Sequence, residues 1–68
     1  MTQDEVRKLI LDRIPLVYVD HQTLWRMCDS PQGEDSFYFD VELVKLANAG
    51  TIRRMEDYTT YLYAGVYK

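Results

Sequence analysis

The chain has 68 residues, a net charge of −3 and a single cysteine, Cys28. A chain this short makes one domain, residues 1–68, with one modest core that hides only roughly 60% of the unfolded surface. One cysteine forbids an internal disulfide, no apolar run approaches the roughly 20 residues that span a bilayer, and the acidic balance disfavours phosphate-driven nucleic-acid binding.

Leu, Ile, Val and Phe supply 18 of the 68 residues, enough to predict a folded rather than a disordered chain. The first predicted element is a helix. Thr2 and Glu5 have the three-residue spacing of a capping box, in which each side chain satisfies a backbone N–H at the other's position. Val6, Leu9 and Ile10 then share a face. Pro15 ends the helix, because the residue before a proline is pushed out of the helical region. Leu16-Val17-Tyr18-Val19 is a short β-favouring run. Asp20 caps a second helix from about His21 to Cys28, with Val19 and Leu24 as a hydrophobic staple and Leu24 and Cys28 on one face. Asp29-Ser30-Pro31-Gln32-Gly33 closes it.

Phe37-Tyr38-Phe39 leads into a third helix, for which Asp40 is the expected cap and Phe39 with Val44 the expected staple. Leu43, Leu46 and Ala47 point inward, with Val44 on the margin of that face; Glu42, Lys45 and Ala49 point outward. Gly50 is its stop, since glycine accepts the left-handed conformation after a last turn. The tail has two readings. Thr51–Met55 and Tyr58–Tyr63 can pair as a hairpin turning near Glu56-Asp57. Ile52, Met55, Thr59, Leu62 and Val66 also fit helical spacing over 51–66. The hairpin is the preferred reading, which gives an α+β fold of helix, strand, helix, helix and C-terminal β-hairpin.

The junction Leu46-Ala47-Asn48-Ala49-Gly50-Thr51-Ile52-Arg53-Arg54, followed by Tyr61-Leu62-Tyr63, resembles the end of a recognition helix and the wing hairpin of the winged helix-turn-helix superfamily. The element order of most of the chain is similar too. The resemblance implies a small winged-helix-like domain and, in its DNA-binding members, a third helix in the major groove with the wing on the backbone or minor groove. On that pattern Lys45, Arg53 and Arg54 are the candidate nucleic-acid contacts. The chain departs from it where positive charge is needed: Asp29, Glu34, Asp35, Asp40 and Glu42 crowd the approach to the third helix, and strand alternation sends Arg53 and Arg54 to opposite faces. Winged helices also serve as protein-interaction and dimerisation modules, and fold alone does not decide between these uses.

No motif for chemistry is found. His21 and Cys28 lack the paired ligands of a zinc site and the orienting group of a nucleophilic dyad. No Asp-x-Asp-x-Asp-Gly calcium loop or glycine-rich phosphate loop is present. No metal, cofactor or catalytic residue is therefore assigned. The unusual feature is tyrosine: six in all, four of them in the last eleven residues. On a strand, Tyr61, Tyr63 and Tyr67 would share one face, while Leu62, Ala64 and Val66 would pack on the helices. Tyrosine suits interfaces, so Tyr61, Tyr63 and Tyr67, with Trp25, are the expected partner-binding residues. The expectation is a non-catalytic regulatory or interaction module that binds a protein partner or itself. The alternatives are a dimeric DNA-binding regulator, or an inhibitor whose acidic residues mimic nucleic acid. The lone cysteine and the polar, acidic start, unlike a signal peptide, fit a cytoplasmic protein.

Overall fold

The computed structural model describes residues 1–67. Its elements are α1 (Gln3–Arg13), β1 (Val19–Asp20), α2 (His21–Met27), α3 (Glu34–Asn48), β2 (Ile52–Asp57) and β3 (Thr60–Gly65). The strands form one antiparallel sheet in the order β1-β3-β2, so the last strand is the central one. The tail is a hairpin, and the helical alternative for 51–66 falls away.

The capping box of α1 forms in both directions: Thr2 N–H donates to Glu5 Oε1 at 2.8 Å and Glu5 N–H to Thr2 Oγ1 at 3.2 Å. Ile14, just before Pro15, is extended with ψ 126°, and the helix ends there as the proline requires. Asp20 caps α2 by accepting from Thr23 N–H at 2.7 Å. The β-favouring run before it reduces to the two residues of β1, with Leu16 and Val17 exposed in a bend. Asp29 and Ser30, both at positive φ, then reverse the chain.

Helix α3 starts six residues before the expected cap. Gly33, at φ 58°, occupies its N-cap without a side-chain hydrogen bond, and Glu34 and Asp35 in the first turn complement the dipole. Asp40 therefore lies inside the helix and caps nothing, and Phe37 and Phe39 are helical. The C-terminus closes as a Schellman motif: Thr51 N–H donates to Leu46 O at 3.0 Å and Gly50 N–H to Ala47 O at 3.1 Å, with Gly50 at φ 76°, the left-handed position that glycine fills without strain.

The hairpin register pairs Ile52 with Gly65, Arg54 with Tyr63 and Asp57 with Thr60. The turn is thus Tyr58-Thr59, two residues beyond the expected one. The core collects Val6 and Ile10 of α1, Leu24 and Cys28 around α2, Phe39, Leu43 and Leu46 of α3, and Ile52 and Tyr63 of the sheet. Cross-strand neighbours share a face, so Ile52, Tyr63 and Val19 mark the sheet face that meets the helices. That reverses the expected packing of β3. Tyr63, at 6% exposure, is a core residue and not a surface contact. Ala64, on the other face, is buried as well. There Arg53, its cross-strand neighbour, is tied down by donating to Leu16 O at 2.9 Å and Gly65 O at 3.3 Å.

Candidate functional site

The five acidic residues do not form one surface. Glu42 is 6% exposed, on the inner margin of α3, where its carboxylate accepts from Gln3 Nε2 of α1 at 3.0 Å. The expectation that Glu42 points outward is therefore corrected: it lies four residues before Leu46 and three after Phe39, on the buried stripe, and a donor from α1 makes its burial tolerable. The other four are spent on separate partners. Asp29 meets Arg13 at 3.4 Å, Asp35 the N-terminal ammonium at 3.1 Å, and Asp40 accepts from His21 Nε2 at 2.7 Å. Glu34 accepts from the Tyr38 hydroxyl.

The basic candidates are also engaged or isolated. Arg53 lies over the Tyr18 ring at 5.2 Å and Arg54 over the Tyr61 ring at 4.9 Å, on opposite faces of β2 as alternation requires. Lys45 is exposed and is the single Lys or Arg of α3. Trp25 is half-buried against the core and donates Nε1–H to Pro31 O at 2.9 Å, so its polar handle serves the loop before α3. Of the tyrosines named from sequence, Tyr61 is 45% exposed and Tyr67 open to solvent, while Tyr63 is not. Tyr58 is 99% exposed at φ 49°, a conformation that a bulky side chain rarely adopts.

The surface that sequence reading missed is the outer face of α3. Phe37, Val41 and Val44 follow one another at four and three residues, with Asn48 four further on, opposite the buried stripe of Phe39, Glu42, Leu43 and Leu46. Phe37 is 65% and Val44 49% exposed, and Val41 is half-buried. Asp40 and Lys45 flank the valines, and the four line a shallow depression of about 420 Å³. The i, i+4, i+7 spacing is visible in the sequence, but only if the helix is begun before Phe37.

Little chemistry is available. Among the described residues, no three His, Cys, Asp or Glu side chains gather where they could hold a metal ion. Burial pushes the Cys28 thiol up to about 11, so it stays protonated and a poor nucleophile near neutral pH. A cleft of about 410 Å³ between Leu11, Ile14, Leu16, Ile52 and Val66 offers Thr51 as its only side-chain hydroxyl and no acid or base. No helix among the described residues is long and apolar enough to cross a membrane. No family model, curated protein or solved structure matches the chain.

Proposed function

We propose that the chain is a non-catalytic, cytoplasmic interaction module of winged-helix type that binds protein through the outer face of α3. The observation that carries this reading is the stripe of Phe37, Val41 and Val44 on a helix face with only one cation, Lys45. A helix that enters a DNA groove needs side chains that reach base edges and phosphates. Large apolar side chains there suit a protein surface, whose contact core is depleted in charge and rich in aromatic residues. The helix-strand-helix-helix-hairpin order and the β1-β3-β2 sheet support the winged-helix part of the reading. The engagement of Arg53 and Arg54 by tyrosine rings and backbone carbonyls weighs against the DNA-binding alternative. Tyr61 and Tyr67 remain secondary contact candidates.

A photo-crosslinking side chain at position 44, with position 8 on exposed α1 as the control, tests this in the cells that make the protein. A polypeptide adduct from 44 and none from 8 is expected. A nuclease-sensitive adduct from 44, or no adduct at all, overturns the reading.

A further inference from the structure

Resting on that reading, we propose that the polypeptide bound by the α3 face is a second copy of this chain, with the two α3 helices side by side and parallel about a two-fold axis. The exposed positions fall into a heptad seam. Phe37 and Val44 take d positions and Val41 and Asn48 take a positions, which leaves Asp40 at g and Lys45 at e. In a parallel pair, a g residue faces the e residue five places later on the other helix. Asp40, which accepts from His21 through Oδ1 and whose side chain stays 59% exposed, then meets Lys45 of the other copy, and the two-fold axis makes this opposite-charge contact twice. In an antiparallel pair g faces g and e faces e, so Asp40 no longer faces Lys45 and both opposite-charge contacts are lost. The face is thus complementary to itself in one orientation only.

Three further features fit this occupant. Asn48 is a lone polar residue at an a position, the device that fixes register and oligomer state. The residues facing the opposite way, Phe39, Leu43 and Leu46, belong to the core, so each domain body lies behind its own helix and leaves the seam free. Helix α3 is already held by that core, so pairing does not carry the cost of nucleating a helix. The seam has four side chains per copy, well short of the roughly 800 Å² per partner of a standard stable interface. The dimer is therefore weak and concentration-dependent.

Sedimentation equilibrium from micromolar to millimolar protein should show a reversible monomer–dimer step. Lys45→Asp should raise the dissociation constant about tenfold by turning two attractions into repulsions, and Asp40→Lys should do the same. The double variant should recover pairing, and an equimolar mixture of the two single variants should pair better than either alone. Asn48→Cys should crosslink to itself under mild oxidation, because equal a positions face each other only in the parallel pair; buried Cys28 does not compete. A native amide spectrum for each variant confirms that it is folded. A chain that stays monomeric at millimolar concentration, a dimer indifferent to both charge reversals, or a dimer without the position-48 crosslink overturns the proposal. If the chain is monomeric while position 44 still crosslinks to a different polypeptide, the self-pairing falls and the interaction reading stands.

Discussion

Helix α3 and strand β3 both alternate apolar and polar residues, and they use the alternation differently. Helix α3 is one-sided along its whole length: Phe39, Leu43 and Leu46 are inside, and Phe37, Val44 and Lys45 are outside. Strand β3 changes along its length. At Thr60 and Tyr61 it is open to solvent, while at Tyr63, Ala64 and Gly65 it is buried on both faces. The reason is topological, since β3 is the central strand with helices against one face and the tethered Arg53 against the other. The contrast teaches that aromatic richness does not mark an interface. What matters is whether a face is already occupied, and on β3 the occupied stretch begins at Leu62.

The largest test of this contrast compares residues of one type on opposite sides of it. Tyr63→Ser and Phe39→Ala should each cost about 3–5 kcal/mol, the usual range for emptying a buried aromatic site. Tyr61→Ser and Phe37→Ala should stay near 0.5 kcal/mol, as exposed substitutions do. Urea denaturation of the four variants reads the difference directly. Equal losses at Tyr61 and Tyr63 would mean that β3 is not two-sided at its C-terminal end.

Glu42 sharpens the account of α3, because its inner stripe tolerates one carboxylate only while Gln3 donates to it. Gln3→Ala should destabilise by about 1–3 kcal/mol through the unsatisfied buried group. Gln3→Ala combined with Glu42→Leu should recover most of that loss, since a buried polar pair can be exchanged for apolar groups at little net cost. Non-additive urea midpoints in this cycle are the expected result.

The sequence carried more of the helical layer than of the sheet, for physical reasons. Caps and stops are local, so Thr2 with Glu5, Pro15, Asp20 and Gly50 place two helix starts and two helix ends from a few residues each. The start of α3 was hidden because Asp40 is a good capping type and Phe37-Tyr38-Phe39 has high β-propensity. The helix instead begins at Gly33, which caps through backbone geometry and leaves no side-chain signature. Both the burial of Glu42 and the outer stripe followed from that earlier start. The facing of β3 is not local at all, for it depends on which strand neighbours which, and two equally apolar sets, Tyr61/Tyr63 and Leu62/Ala64, compete for the same core.

Titration probes both regions at smaller amplitude. Glu5 and Asp20 are held below the ordinary carboxylate value, Glu5 by the backbone and side chain of Thr2 and Asp20 by the backbone N–H of Thr23. Their contribution is complete above the unfolded values and is lost as pH falls through the lowered folded ones, so the thermal midpoint should drop below about pH 4. At the alkaline end the sign reverses. Cys28 is raised by burial to about 11, and Tyr63 is raised for the same reason. The unfolded groups ionise first, and stability should fall as pH rises from about 9 toward 11. Cys28→Ala should flatten the alkaline slope and leave the acid slope unchanged.

The smallest effect is expected at the hairpin tip, where β3 is most open. Tyr58 holds a φ of 49° at the first position of a two-residue loop, a positive φ that glycine fills without strain. Its side chain has almost no contact to lose. Tyr58→Gly should therefore stabilise the fold by a few tenths to about 1 kcal/mol, the strain relieved less the added unfolded-state freedom of glycine. If the same substitution leaves the α3-mediated crosslink at position 44 intact, the exposed tyrosine is separable from binding, and the division between the open end of β3 and the outer face of α3 holds for function as it does for stability.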